Sequence, residues 1–270
     1  MKKTKNLKKL GMAALATTIL AGGFLPSNSY AEEKDSTNLK PFVSNMPESA
    51  RTLNFVDTNA NKKEYLTNVE VQSINPNKLN SIYKELENDA KNGSYTEEQL
   101  NKIAAEKIKN NGTKARTSYS IPGFGSLTSA EVNLAKNNPW EFTIYSAAAV
   151  SAKGTAEDYY GSSQLYQGNG DAFRHAYWNA ILVKRLGGTK GRDHGEGRAQ
   201  IWTDAHESTS SGIDKEMDLH NNYMGRMRAY NDYNGSLNSY SSALRQAVAN
   251  GSMARIVNGQ LVSTNGVTGK

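Results

Sequence analysis

Fifteen residues, Asp171–Arg185 (DAFRHAYWNAILVKR), constrain the fold of this chain more than any other stretch. At 100° per residue, Asp171, His175, Trp178 and Asn179 share one face of a helix. Phe173, Ala176, Ala180 and Val183 form the opposite one. A surface helix carries one apolar stripe and one solvated face, and this segment is too polar on one side and too apolar on the other to match that pattern. It is therefore predicted to be buried on both sides, with a carboxylate, an imidazole and an amide stacked in consecutive turns. Such a column is either the floor of a functional site or a hydrogen-bonded core that fixes packing.

The histidines bear on that choice. All four, His175, His194, His206 and His220, fall in one window, beside Asp171, Asp204, Glu207 and Asp218. Trp178 and Trp202, two of the three tryptophans, are there too. One site built from three successive helices explains this confinement. On the second helix (RAQIWTDAHES, Arg198–Ser208), Gln200, Asp204 and Glu207 share a face, and His206 points nearly opposite, alongside Trp202. On the third (DKEMDLHNNYMGRMRAY, Asp214–Tyr230), Asp214, Asp218, Asn222 and Gly225 share a face. His220 lies with Ile213, Met217 and Met224 on the apolar side. The main candidates are thus His175, Asp204, Glu207, Asp218 and Asn222, with His206 and His220 read as buried structural histidines. His194 sits in a Gly-rich loop, LGGTKGRDHGEG, which lacks the G-x-x-x-x-G-K-[ST] spacing of a phosphate-binding loop.

These residue types admit three readings. A neutral His with Asp and Glu on facing helices can hold one or two divalent cations such as zinc, leaving a position for water. The ligand set would be His175, Asp204, Glu207 and Asp218. Alternatively, His175 is a metal-free general base oriented by a carboxylate, as in a lipase-like or phospholipase-like enzyme. In the third reading the chain is a non-catalytic secreted module with a polar core. No H-E-x-x-H or G-x-S-x-G motif is present, and the chain has no Cys. Activated water is therefore favoured over a covalent nucleophile. A hydrolase is expected, acting on a small molecule, a lipid or a nucleic acid, with phosphoester bonds the favoured class.

The blocks NGDAFRHAYWNAIL, DAHES and MDLHNNYMGR, in that order, resemble an uncharacterised bacterial domain family. That family is also found near the C-terminal ends of Rhs-type polymorphic toxins and in other secreted proteins. LTSAEVNLAKNNPW resembles its N-terminal helix, so the likeness runs from about Ile121 to Arg228. The resemblance implies a bacterial secreted context and a toxin-like role. It marks Asp171, Arg174, His175, Trp178, Asn179, Asp204, His206, Glu207, Asp218, His220, Asn221, Asn222 and Arg226. The stretch RHAYWN is also similar to secreted phospholipases A2, in which a helix carries HD followed by an aromatic. Here Ala176 replaces the Asp that would bind calcium.

The remaining chain is read around this region. A basic start (MKKTKNLKK) and an apolar run (LGMAALATTILAGGFL) make residues 1–31 a secretory signal, cleaved after Ala31. The apolar run is shorter than a membrane span, and no second one follows. Five lysines of this segment, with no acid beside them, account for five units of the formal net charge of +6. The mature chain is left near neutrality, without a strong basic patch for nucleic acid. Absent Cys, a disulfide scaffold is excluded, which favours bacterial export. Residues 32–120 are read as a flexible start, with short strands at Leu53–Val56 and Val69–Ile74, followed by a helical hairpin. Its helices begin at Pro76 and at the Thr96/Gln99 capping box. Asn110–Leu127 is the linker candidate. A compact helical domain of five to seven helices is expected over 121–250, opened by a capping box at Thr128/Glu131. A short terminal hairpin turning at Asn258-Gly259 is expected within 251–270. The fold class is mainly α.

Overall fold

The computed structural model describes residues 39–55, 63–112 and 120–270. The expected signal segment, and the part of the linker candidate at 113–119, lie outside them. The described chain is mainly helical. A strap beginning at residue 39 contains the short α1 (Glu48–Arg51) and leads, beyond residue 62, to α2 (Asn68–Ser73), α3 (Pro76–Lys91) and α4 (Glu97–Asn111). A two-stranded hairpin, β1 (Ser120–Ile121) and β2 (Gly125–Ser126), precedes α5 (Ser129–Asn137) and α6 (Pro139–Tyr159). Then come α7 (Asn169–Gly187), α8 (Arg192–His206), α9 (Gly212–Asn231), α10 (Leu237–Ala249), β3 (Ala254–Val257) and β4 (Gln260–Ser263).

Helix starts follow local chemistry. Thr67, Thr96 and Thr128 each close a reciprocal capping box with Glu70, Gln99 and Glu131, satisfying two orphan donors at each start. Pro76 and Pro139 stand in the first helical turn, where their missing N–H is not needed. The strand expected at Val69–Ile74 is instead α2. Two β-branched valines favour a strand, but the Thr67/Glu70 box outweighs that weak preference. Leu53–Phe55 forms no strand either. Helix α8 starts six residues earlier than expected, absorbing the Gly-rich stretch from Arg192, so His194 lies in its first turn. The terminal hairpin forms as expected, with Asn258 and Gly259 both at positive φ (51° and 72°) between paired Val257 and Gln260, as a type I′ turn requires.

Helix α7 is the hub, packing against α6, α8, α9 and α10. Both its faces are buried, including Asp171, His175 and Asn179. Two glycines make this possible. A Cβ at Gly225 would overlap the Ala176 carbonyl where α9 crosses α7, and one at Gly195 would overlap the Val183 carbonyl where α8 does. On the α6 side, Ala147, Ala148 and Ala149 are fully buried and supply small residues for close packing. The α3–α4 hairpin packs on α6 through Leu79, Ile82, Leu86, Leu100, Ala104 and Ile108, which join the same apolar cluster as α7. Each of the large aliphatic side chains contributes about 1.5–3 kcal/mol on burial. No helix among the described residues is long and apolar enough to cross a membrane.

Candidate functional site

The polar column of α7 meets α9 and the end of α8. His175 is 4% exposed. Its Nδ1 lies 3.3 Å from Asn222 Oδ1, and its Nε2 lies 3.5 Å from Asp218 Oδ1 and 3.6 Å from Asp171 Oδ1. Glu207 completes a group in which one ligand atom each of His175, Glu207 and Asp218 lies within 4.8 Å of the others. Asn222 Nδ2 donates to Glu207 Oε1 at 3.5 Å. Two carboxylate oxygens of this group, Glu207 Oε2 and Asp218 Oδ1, are buried without a hydrogen-bond partner.

The electrostatics follow from burial. Desolvation, aided by the Arg174 and His206 charges, holds His175 well below the usual histidine range. It is a neutral imidazole. Desolvation pushes Asp218 well above the usual carboxylate range, and the neighbouring Glu207 and Asp171 add to the effect. Glu207 is also pushed up by burial, against the opposing His206 charge. Two carboxylates thus lie next to each other beside a ring that carries no charge.

A second tier surrounds them. Asp171 is held by Arg174 and by the Gln167 backbone N–H at 2.6 Å. Arg174 also donates to the Gly123 carbonyl and stacks 4.2 Å from the Phe124 ring centroid. Phe124, at the tip of the β1–β2 hairpin, packs on His175, Trp178 and His206 and so roofs the cluster. His206 Nδ1 lies 3.1 Å from Glu131 Oε1, which also accepts from the Tyr145 hydroxyl at 2.5 Å. Burial opposes charge on His206, but the Glu131 hydrogen bond and charge outweigh it and push its pKa up.

Other expected residues go elsewhere. Asp204 turns away from the group and accepts the Asn54 backbone N–H at 2.8 Å. Burial raises its pKa, against that hydrogen bond. His220 joins Ser44 to the Ser252 carbonyl and meets Phe42 edge-on. Asn221 clamps both backbone groups of Ala254. Trp178 donates to the Tyr145 carbonyl at 3.3 Å. His194 lies on another side, lining a cavity of about 340 Å³ with Lys63, Glu98, Lys190 and Arg198, none of them in the cluster.

The helical wheel grouped Glu207 with Asp204 and set His206 opposite. Helix α8 ends at His206, however, and Glu207 begins a 3₁₀ turn, so 100° per residue no longer applies. Sequence reasoning also missed Glu131, Tyr145 and Phe124. Glu131 was explained fully by its capping box, and only its complete burial signals a second role.

A family model described as a domain of unknown function (DUF6973) matches residues 132–252. This is consistent with an uncharacterised family. The matched stretch contains His175, Glu207, Asp218 and Asn222, whereas Phe124 and Glu131 precede it. No curated protein and no solved structure matches the chain.

Proposed function

We propose that the chain is a secreted bacterial hydrolase in which His175, Glu207 and Asp218 hold one divalent cation. The supporting observation is the pair of buried, unpartnered oxygens on Glu207 and Asp218 beside a neutral imidazole. Leaving buried acceptors unsatisfied costs about 1–3 kcal/mol each, more when charged. A cation removes that penalty for both together. One nitrogen and two carboxylates also match the donor set of catalytic zinc sites, which keep a position open for water. Bound there, the cation would supply Lewis acidity toward water and a substrate oxygen.

The chain's own residues have separate tasks. Asn222 orients His175, Arg174 fixes Asp171 at the edge of the group, and Phe124 excludes bulk water from above. Phosphoester bonds in lipid or nucleic acid are the substrate class we favour. An anionic phosphoryl group needs a cation to approach a site that carries Asp171, Glu207 and Asp218. The export signal read in residues 1–31 and the likeness to toxin-associated domains support a toxin-like role outside the producing cell.

The test is turnover of a phosphodiester panel and phospholipid vesicles by full-length protein. Activity is expected to vanish with chelator, return with zinc, and fall at least 100-fold in Glu207→Gln while the fold persists. A Glu207→Gln protein that melts much earlier, with no hydrolysis by the parent, would favour the purely structural core. Turnover that survives chelation and still titrates near neutrality would favour His175 as a metal-free base.

A further inference from the structure

We infer that Arg226, Asn179 and Asn222 form a hydrogen-bonded relay that fixes the tautomer of His175, placing the proton on Nδ1 and leaving Nε2 as the working nitrogen. Arg226 is 1% exposed and has only donors to offer. Its Nη1 points at Asn179 Oδ1, 3.4 Å away. At the other end of the same amide, Asn179 Nδ2 donates to the His175 carbonyl at 3.0 Å and to Asn222 Oδ1 at 2.7 Å. A backbone carbonyl only accepts, so the Asn179 amide is oriented independently from both ends. Flipping it would set donor against donor at Arg226 and acceptor against acceptor at His175.

The same logic carries to the next amide. Asn222 Oδ1 receives Asn179, and Asn222 Nδ2 faces the Glu207 carboxylate, another pure acceptor when ionised. The oxygen of Asn222 therefore faces His175 Nδ1 at 3.3 Å. An acceptor there requires a hydrogen on Nδ1, and the Arg174 Nη2 donor near Nε2 calls for a lone pair on that nitrogen. Nε2 is left with its lone pair facing the Arg174 Nη2 donor at 3.4 Å, with Asp218 and Asp171 just beyond. Arg174 bridges this lone pair and Asp171, whereas no donor serves the facing Asp218 Oδ1, an arrangement that suits either ligation or proton acceptance at Nε2. Arg226 is itself anchored by Glu196 Oε1 at 3.1 Å, and Thr203 Oγ1 lies within 3.2 Å of Asn179 Oδ1. Arg226, Asn179 and Asn222 touch neither substrate nor cation in this account. They are positioning residues.

The tautomer assignment stands without the metal reading, whereas its effect on zinc affinity rests on that reading. The experiment is nitrogen-15 NMR of the metal-free full-length protein labelled at histidine, with His175 assigned by its loss in His175→Gln. A protonated Nδ1 and bare Nε2 are expected at pH 7. A protonated Nε2 would overturn the relay on the parent protein alone. In Asn222→Leu the acceptor is gone, so the proton should move to Nε2, toward Asp218. Asn222→Asp should keep it on Nδ1. Retention of the Nδ1 proton in Asn222→Leu would also overturn the relay. Zinc affinity should fall about 10–100-fold in Asn222→Leu and recover in Asn222→Asp. A parent protein with the expected tautomer but no zinc affinity would sink the metal centre and leave the relay standing.

Discussion

Two buried carboxylates in this molecule have opposite surroundings. Glu141, on α6, accepts from Arg198 Nε at 2.9 and 3.1 Å, from Arg198 Nη2 at 2.5 Å and from Trp202 Nε1 at 2.8 Å. Glu207 has the acidic Asp218 beside it and one oxygen with no partner. Both residues are nearly inaccessible, at 6% and 1% exposure. Burial alone therefore does not mark a site. A carboxylate with every lone pair occupied holds helices together, whereas one left with spare lone pairs near another carboxylate is where we propose that a cation binds.

Breaking each cluster should have opposite consequences. The largest effect is expected from Arg198→Met, which strands Glu141 and should cost about 3–5 kcal/mol, read as a lower melting temperature with zinc affinity unchanged. A loss under 1 kcal/mol would erase the contrast.

Next comes the pH dependence of the metal-free protein. Asp218 and Glu207 have folded pKa values above their ordinary ones, so the native state binds more protons than the unfolded chain. Their contribution is fully present below about pH 4 and is lost as pH rises through the folded values. The slope approaches about 1.4 kcal/mol per pH unit while one such proton is released. Saturating zinc should reverse the sign, because ligands must shed protons to bind it. Denaturant titrations at several pH values, with and without zinc, measure both slopes. A pair of identical profiles would contradict the cluster's role.

A smaller effect is expected from Asp218→Asn. Removing one of two facing charges should stabilise the metal-free protein at pH 7 by about 1 kcal/mol, against a loss for any comparable change at Arg198. Smallest should be Asp204→Asn. Its side chain can still accept the Asn54 backbone N–H, so stability and turnover should change by less than about 1 kcal/mol. A large loss of turnover in Asp204→Asn would return that residue to the site and dissolve the grouping around Glu207.

How much of this was readable follows from where regular geometry holds. Asp171, His175 and Asn179 on α7, and Asp218 and Asn222 on α9, lie within continuous α-helix, so their facing was legible from spacing. Glu207 lies one residue past the end of α8, where the turn tightens and the wheel misassigns neighbours. Helix α2 was missed because Val69 and Val71 were weighed above a capping box that the letters TNVE contain. Phe124 and Glu131 reach the cluster from elements before α6. Their contacts are set by tertiary packing, and no local pattern announces them. The terminal hairpin was legible because Asn258-Gly259 specifies its turn outright.

The central claim is that the pair of unsatisfied carboxylates exists to hold a cation with His175. Calorimetric titration of zinc into metal-free full-length protein tests it most directly, with Asp218→Asn alongside. The account predicts one zinc per chain in the parent, binding at least 10–100-fold weaker in Asp218→Asn, and an undiminished melting temperature in that variant before metal is added. No uptake by the parent, or equal affinity in the two proteins, would contradict it.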